Sequence, residues 1–204
     1  MSAPIDFWFD YSSPYGYIAS ERIEALAARH GRDVDWHPML LGAVFKITGQ
    51  RPLTEAPMKG EYSIRDMYRS AREHGIPFAQ PSAFPISSVA ASRATLWLQT
   101  HEDDALVALA TPLIHALYRA YYVEGRDISE TATVLDVATG VGVERAALEA
   151  ALGEPRVKAL LRDSVDAAIA RGVFGSPSFA VDGELFWGND RLETLDRWLV
   201  SGGW

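Results

Sequence analysis

A serine stands where an apolar segment gives way to a helix, at a position suited to holding an anion. Residues 5–9 read IDFWF, a run rich in strand formers, and residues 9–20 read FDYSSPYGYIAS. Ser13 can act as the N-cap of the helix and Pro14 as its first residue, where a missing N–H costs nothing. Because a helix start presents free N–H groups and the positive end of the dipole, the pattern predicts an anion site at Ser13.

The kind of anion follows from what the chain lacks. An alkoxide on Ser13 needs a general base, and no histidine lies near it in sequence. A hydroxyl that donates a hydrogen bond to a bound thiolate fits better, since lowering a thiol pKa by one unit takes about 1.4 kcal/mol, within reach of charge-assisted hydrogen bonds. Thiol redox proteins carry Cys-Pro-x-Cys in this frame, but Ser13 and Gly16 occupy the sulfur positions here and the chain has no cysteine, which excludes disulfide exchange. The alternative is that Ser13 is only a helix cap.

Two segments near the C-terminus offer further ligand contacts. In VFGSPSF, a cis bond between Ser176 and Pro177 would turn the backbone of Ser176 toward a ligand, whereas a trans bond would give an ordinary turn. The sequence does not assign the isomer. In FWGNDRL, Asn189 and Asp190 stand at a helix start, where they serve either as caps or as binding groups for a charged end of a peptide-like ligand.

Positive charge for an acidic substrate could come from Lys46 in GAVFKITGQ or from Lys59 in APMKGEY, although solvated lysines are the commoner explanation. No metal site is predicted, because the five histidines are scattered and have no cysteine partners. TGVGVER lacks the third glycine and the preceding strand of a dinucleotide-binding fingerprint.

The elements around these groups form two units. The strand at 5–9, a helix stopped by Gly31 and a strand ended by Pro38 make a βαβ unit. At the C-terminus, PSFAVDGELFW contains two strands joined at Asp182 and Gly183, a strong type I′ hairpin signal. A helix follows, and a capping box between Asp190 and Glu193 is predicted at its start.

The segment between the two units has mostly helical periodicity. The order βαβ, helical block, ββα predicts an α/β fold, a thioredoxin-like sheet interrupted by a large all-helical insertion. The expected domains are a discontinuous thioredoxin-like domain at 1–42 plus 172–204 and a helical insertion domain at 43–171.

Charge and hydropathy limit the partners. A net charge of -8 argues against a nucleic-acid groove or an anionic membrane surface, both of which need a basic face. No segment approaches the roughly 18 apolar residues of a spanning helix, and the N-terminus lacks the features of a signal peptide. The expected location is cytoplasmic.

Five segments together carry a family resemblance: DYSSPYGYIAS, GAVFKITG, PMKGEYSIRDMYR, HGIPF and VFGSPSFAVDGELFWGNDRL. Over nearly its whole length the chain resembles the 2-hydroxychromene-2-carboxylate isomerase family, which is close to the kappa-class glutathione transferases in the DsbA-like thioredoxin superfamily. The last of the five segments is the most specific, because both its loop proline and its hairpin-to-helix sequence match.

The resemblance implies a glutathione site. Ser13 would hold the sulfur, and Ser176, next to a cis Pro177, would pair with the glutathione backbone. The γ-glutamyl end would be bound by the segment Trp187, Gly188, Asn189 and Asp190. Lys59 is assigned to the same site.

The resemblance also implies a substrate pocket. Lys46 would meet the substrate carboxylate, and Phe84 would line the pocket where some members have a tyrosine. Members carry polar residues after this lysine, whereas the chain reads GQRPLTEAP, so that Arg51 or Thr54 would have to replace them. Members also usually have a larger or hydroxylated residue in place of Gly16.

The expected function is therefore a glutathione-dependent cis/trans isomerase that interconverts 2-hydroxychromene-2-carboxylate and trans-o-hydroxybenzylidenepyruvate in aromatic-compound degradation. Its partners would be glutathione, a small aromatic carboxylate and a second copy of the chain in a homodimer. The alternatives are a kappa-like glutathione transferase or peroxidase that acts on other electrophiles, and a non-enzymatic thioredoxin-like binding module.

Overall fold

A four-stranded mixed sheet joins the two ends of the chain. The computed structural model describes residues 3–204. Its strands β1 (Ile5–Phe9), β2 (Val34–Pro38), β3 (Ser178–Val181) and β4 (Glu184–Trp187) lie in the order β2-β1-β3-β4. The strand β1 is parallel to β2 and antiparallel to β3, and β3 pairs with β4 as an antiparallel hairpin. The predicted βαβ and ββ units therefore share one sheet.

The first helix, α1 (Pro14–Arg29), begins as its sequence predicts. Ser13 is the N-cap and Pro14 is the first helical residue. The face of α1 that includes Ile18 and Ile23 is buried. The helix is followed by Gly31 at φ +61°, a conformation that glycine adopts without steric penalty.

The long segment between β2 and β3 is helical, as predicted. Its α-helices are α2 (Leu41–Thr48), α3 (Lys59–Glu73), α4 (Val89–Gln99), α5 (Asp104–Val107), α6 (Ala110–Tyr122), α7 (Thr131–Gly140), α8 (Arg145–Gly153) and α9 (Pro155–Ala170). A 3-10 turn at Leu53–Glu55 lies between α2 and α3. Among residues 3–204, no helix combines the length and the apolar character needed to cross a membrane.

Sheet and helices share one hydrophobic core. Phe7 and Phe9 of β1 and Phe179 of β3 belong to the same buried cluster as Leu117 and Tyr118 of α6. Phe7 stacks on Phe179 with ring centroids 5.1 Å apart. Because the core is continuous across the proposed boundaries, the division at residues 42 and 172 stays a prediction.

The C-terminal hairpin has the predicted turn, since Asp182 and Gly183 have φ values of 51° and 92°. The predicted capping box is wrong. After Gly188, at φ 111°, the chain makes a 3-10 turn at Asn189–Arg191 before α10 (Leu192–Ser201) begins. This extra turn separates Asp190 from the start of α10, and neither the turn nor the helix has a side-chain cap.

Candidate active site

A cavity of about 370 Å³ opens at the start of α1. One side is formed by the start of α1, the loop before β3 and the end of β4. The other is formed by α2, the α2–α3 connection, α3 and the proline-rich loop before α4. The first side contributes residues 12–15, Gly175, Ser176 and Trp187. The second contributes Leu41, Phe45, residues 49–54, Ala56, Lys59, Met67, Phe84 and Pro85.

The Ser13 hydroxyl forms two hydrogen bonds at the base of the cavity. Its Oγ accepts from the Gly16 backbone N–H at 3.0 Å, which is the predicted capping bond. It also donates to the Ser176 carbonyl oxygen at 2.9 Å. Ser13 is buried, with 4% of its surface exposed. The hydroxyl therefore ties the first helix to the loop that precedes β3, and the two predicted constellations meet at one place.

Hydrogen bonds to Ser176 and Pro177 hold the loop before β3 in place. The Ser176–Pro177 bond is cis, as the resemblance implies. The Ser176 hydroxyl accepts from the Asp10 backbone N–H at 2.9 Å, and the Pro177 carbonyl accepts from the Gly188 N–H at 2.9 Å. These bonds anchor the loop to β1 on one side and to the end of β4 on the other.

A buried carboxylate that the sequence interpretation missed supports the loop of Ser13. Asp10 accepts from the backbone N–H groups of Ser12 at 2.8 Å and Leu41 at 2.7 Å, and from the Ser88 hydroxyl at 2.7 Å. The pKa of Asp10 is raised, because the effect of burial outweighs the hydrogen bonds from Ser88, Leu41 and Ser12, which lower it. Asp10 thus fixes the starts of α2 and α4 against the Ser13 loop. Its position directly after a buried strand was the available signal.

The hydroxyl of Tyr118, also missed, explains the glycine at position 16. This hydroxyl donates to the Asp10 carbonyl at 3.2 Å. A Cβ on Gly16 would lie 2.8 Å from it and 3.0 Å from the Ser176 Oγ. A side chain at position 16 and the Tyr118 hydroxyl therefore compete for the same space. Burial raises the pKa of Tyr118 well above its usual value, so that the hydroxyl remains a neutral donor.

In the segment assigned to the γ-glutamyl end, the residue before Gly188 lines the cavity and the two residues after it do not. Trp187 lines the cavity, is 49% exposed, and packs edge-on against Phe174 with ring centroids 4.9 Å apart. Asn189 points inward, is buried, and its Oδ1 accepts from the Arg22 guanidinium at 3.0 Å. Asp190 is exposed, and its carboxylate lies 3.7 Å from the Arg191 guanidinium. Neither Asn189 nor Asp190 lines the cavity.

An acidic residue of α3 approaches the same region through Tyr15. The Tyr15 side chain lines the cavity, and its hydroxyl donates to the Asp66 carboxylate at 2.8 Å. Burial, with the hydrogen bond and charge of Asp66, raises the pKa of Tyr15. This contact joins the start of α1 to α3.

The predicted substrate residues separate into two groups. Thr54 and Phe84 line the cavity, as does Lys59. Lys46 lies on α2 with an exposed side chain and does not line the cavity, whereas its neighbour Phe45 does. Two neighbours on α2 can differ in this way because an α-helix has about 3.6 residues per turn, so that successive residues point about 100° apart.

The cavity lining is positively charged. Arg51 and Lys59 belong to it, and among residues 3–204 no aspartate, glutamate or histidine does. The chain as a whole has a net charge of -8. The rest of the lining is largely apolar, with Leu41, Phe45 and Met67 among its members. The arrangement suits a ligand that combines negative charge with an apolar body.

One group of side chains elsewhere has the composition of a metal site. Asp6, Asp35 and His37, on β1 and β2, bring three ligand atoms within 4.8 Å of one another. The His37 Nε2 already lies 3.0 Å from Asp6 Oδ1, and the Arg171 guanidinium lies 3.8 Å from the other Asp6 oxygen. Protein partners thus serve these groups, and the absence of a metal stays a prediction.

The mixed sheet, the helical segment within it and the Ser13 site at the first helix define a protein of the thioredoxin-like class. The chain belongs to the family described as the DSBA-like thioredoxin domain, whose model matches residues 4–200. This confirms both the resemblance and the fold class predicted from the sequence.

Curated relatives of two kinds match over almost the whole chain. A 2-hydroxychromene-2-carboxylate isomerase of Sphingobium xenophagum is 29% identical over 203 residues, covering 98% of this chain and 100% of the relative. A glutathione S-transferase kappa 1 of Caenorhabditis elegans is 27% identical over 204 residues, covering 94% and 88% of the two chains. Among solved structures, a 2-hydroxychromene-2-carboxylate isomerase superposes with a TM-score of 0.84 at 26% identity, covering 97% and 94%. The relatives are thus isomerases and glutathione transferases, which supports an enzymatic function.

Proposed function

We propose that the protein is a glutathione-dependent isomerase that interconverts 2-hydroxychromene-2-carboxylate and trans-o-hydroxybenzylidenepyruvate in aromatic-compound degradation. The observation that carries the proposal is the cavity, where the Ser13 hydroxyl at a helix start meets a lining with two cations, no acid and a large apolar wall. The isomerases among the relatives support this reaction, and the transferases support glutathione.

The residues present fit glutathione at the first side of the cavity, with Lys59 reaching it from the second side. Ser13 would donate to the thiolate, with the dipole of α1 behind it. Ser176 would offer its backbone to the peptide part of glutathione, and Lys59 would meet a carboxylate. The γ-glutamyl end would reach the segment from Trp187 to Asp190, where Asp190 has an exposed carboxylate that suits an ammonium group.

Ser13 can exchange one hydrogen-bond acceptor for another when it binds a thiolate. Its hydroxyl proton now points to the Ser176 carbonyl, at an Oγ–O distance of 2.9 Å. If the hydroxyl turns to the sulfur, the Ser176 carbonyl is free to accept an N–H from the ligand backbone. The number of hydrogen bonds is conserved, so that the exchange avoids leaving a buried polar group unpaired. The capping bond from Gly16 can persist, because it uses an Oγ lone pair.

When bound, glutathione would supply a thiol nucleophile for reversible addition at the conjugated carbon, which allows rotation about the former double bond. The protein would contribute a donor at Ser13 and positive charge at the cavity wall. The apolar side chains, including Phe84, would hold the aromatic ring, and Thr54 would offer a hydroxyl to its polar edge.

The decisive experiment compares the wild type with Ser13→Ala and with Ser12→Ala, a neighbouring serine that also lines the cavity. Glutathione binding is measured by calorimetry, and turnover by the absorbance change of 2-hydroxychromene-2-carboxylate. Ser13→Ala should keep most of the binding and lose about 100-fold in turnover, the usual effect of removing one donor to a developing anion. Ser12→Ala should change turnover by less than about threefold.

Two results would contradict the proposal. Unchanged turnover of Ser13→Ala would remove the hydroxyl from the reaction. The absence of glutathione binding to the wild type at millimolar concentration would favour the non-enzymatic binding module, in which Ser13 is only a cap.

A second candidate is a kappa-like glutathione transferase or peroxidase acting on other electrophiles. It needs the same sulfur site and differs in the acceptor pocket, and the transferase relatives favour it. An aryl halide and 2-hydroxychromene-2-carboxylate, each assayed with and without glutathione, would separate the two functions. Faster glutathione-dependent turnover of the halide would favour the transferase.

We also propose that the protein is a homodimer and acts in the cytoplasm, where glutathione is available. Four large apolar side chains in one stretch of chain support a dimer contact: Ile47, Leu53, Met58 and Tyr62 are 64%, 46%, 97% and 61% exposed. Light scattering after gel filtration tests the oligomeric state. A monomeric mass at micromolar concentration would contradict the dimer.

A further inference from the structure

The cations near the cavity differ in where the structure places them. Lys46, which the sequence interpretation assigned to the substrate carboxylate, is exposed on α2 and outside the lining. Arg51 lies in the connection after α2 and belongs to the lining. Between them α2 ends at Thr48, and Gly49 follows with φ 71°, the left-handed conformation that commonly terminates a helix. The end of α2 thus places Arg51, and not Lys46, at the cavity.

The surroundings of Arg51 match an aromatic acid. Phe45 of α2 and Pro52 and Leu53 of the same connection line the cavity with it and provide an apolar surface. Among residues 3–204, no carboxylate lies within ion-pair distance of the Arg51 guanidinium. A guanidinium is planar and can bind a carboxylate with two parallel hydrogen bonds, which a lysine ammonium cannot do.

We propose that Arg51 is the specificity-determining residue that binds the carboxylate of the second, aromatic substrate. The inference rests on the proposed function for the identity of that substrate. It assigns the other cation of the lining, Lys59, to glutathione. Discrimination would come from the charged end of the substrate, while the apolar wall accepts rings of different shape.

The test uses chromone-2-carboxylate, a planar bicyclic acid, and its neutral chromone-2-carboxamide, each titrated into the protein without glutathione and followed by calorimetry. Arg51→Gln should weaken binding of the acid about tenfold, as expected for loss of a charge-assisted hydrogen bond at a partly exposed site, and leave binding of the amide unchanged. Arg51→Lys should give an intermediate loss. Lys46→Gln, the matched control, should bind the acid like the wild type.

Several results would overturn the assignment: equal affinity of the wild type for acid and amide, no binding of the acid at millimolar concentration, or a loss with Lys46→Gln or Lys59→Gln as large as with Arg51→Gln. Glutathione binding is measured in parallel. If glutathione fails to bind while the acid binds through Arg51, the proposed function fails and the carboxylate site stands. If glutathione binds and the acid shows no dependence on Arg51, the carboxylate site alone fails.

Discussion

The contact between Gly16 and Tyr118 gives a prediction that can be followed quantitatively. In Gly16→Ala the new Cβ would lie 2.8 Å from the Tyr118 hydroxyl oxygen, closer than real Cβ contacts, and 3.0 Å from the Ser176 Oγ. Tyr118 is fully buried, so that its ring has little freedom to withdraw. The substitution therefore strains the base of the cavity.

Two opposing effects set the magnitude. Overpacking a well-filled core costs about 1–3 kcal/mol. Alanine is favoured over glycine within a helix by about 0.5–1 kcal/mol, and Gly16 lies in the first turn of α1. Gly16→Ala should therefore lower the free energy of unfolding by between roughly nothing and about 2.5 kcal/mol.

Tyr118→Phe removes the oxygen that the new methyl group meets. On its own it should cost about 0.5–1.5 kcal/mol, because the Asp10 carbonyl loses one donor and keeps another, the Ser13 N–H at 2.9 Å. In the Tyr118→Phe background, Gly16→Ala should be neutral or stabilising. The coupling free energy between the two positions should thus be about 1–3 kcal/mol, toward the lower end because the contact with the Ser176 Oγ remains.

Urea denaturation of the wild type, both single variants and the double variant measures this coupling. Gly140→Ala serves as a control for helix propensity, since a Cβ at that position of α7 would meet no atom within 4 Å other than its chain neighbours and the backbone of its own helix. A coupling below about 0.5 kcal/mol would refute the reasoning, because residues that do not interact show additive effects within that margin.

Three further predictions concern stability. Burial alone would lower the pKa of His115, but Glu21 and Glu24 outweigh it and raise the pKa. Because the pKa of His115 is higher in the folded protein, protonated His115 stabilises the fold. This stabilisation is complete below the unfolded pKa of about 6.5 and is lost as pH rises through the folded pKa. The stability difference between the wild type and His115→Gln, followed by thermal denaturation from pH 5.5 to 9, should shrink as pH rises, and a constant difference would contradict this. Met58 is 97% exposed and has φ 65°, a conformation that glycine adopts at lower cost. Met58→Gly should therefore raise the free energy of unfolding by about 0.5–1 kcal/mol in urea denaturation, whereas Met58→Ala should not raise it. Gly188→Ala should lower the free energy of unfolding by about 1–3 kcal/mol in the same assay, because position 188 has φ 111° and the new Cβ would collide with the Asp190 carboxylate. Adding Asp190→Ala should remove the collision but not the backbone strain, so that stability is restored only in part.

Local signals were sufficient for the sheet and the first helix. Pro14 cannot donate an N–H and therefore marks a helix start, and the observed helix begins there. Asp182 and Gly183 tolerate positive φ, and the hairpin turns at these two residues. In both cases the covalent structure of a few adjacent residues limits the backbone, so that tertiary packing had little to decide.

The parts of the site that depend on long-range packing could not be predicted in the same way. Tyr118 is 108 residues from Asp10 in sequence, and nothing around it in α6 distinguishes it from its buried neighbour Tyr122. The predicted capping box between Asp190 and Glu193 failed because a 3-10 turn at Asn189–Arg191 precedes α10, so that Asp190 is not its N-cap. The resemblance placed Lys46 at the substrate carboxylate and named Arg51 only as a replacement for polar residues, whereas the cavity lining includes Arg51 and not Lys46.

Helix capping and ligand binding are compatible roles for Ser13, because they use different parts of the hydroxyl. Capping needs only a lone pair on Oγ, which the Gly16 N–H occupies at 3.0 Å. A cap with no other role would leave the hydroxyl proton free to point in any direction. Here the proton is directed to the Ser176 carbonyl at 2.9 Å, on the loop that lines the same cavity. The capping bond fixes the oxygen at the helix start, and the Ser176 bond keeps the proton beside the place where a ligand would bind. The cap therefore prepares the donor, and finding one role is no argument against the other.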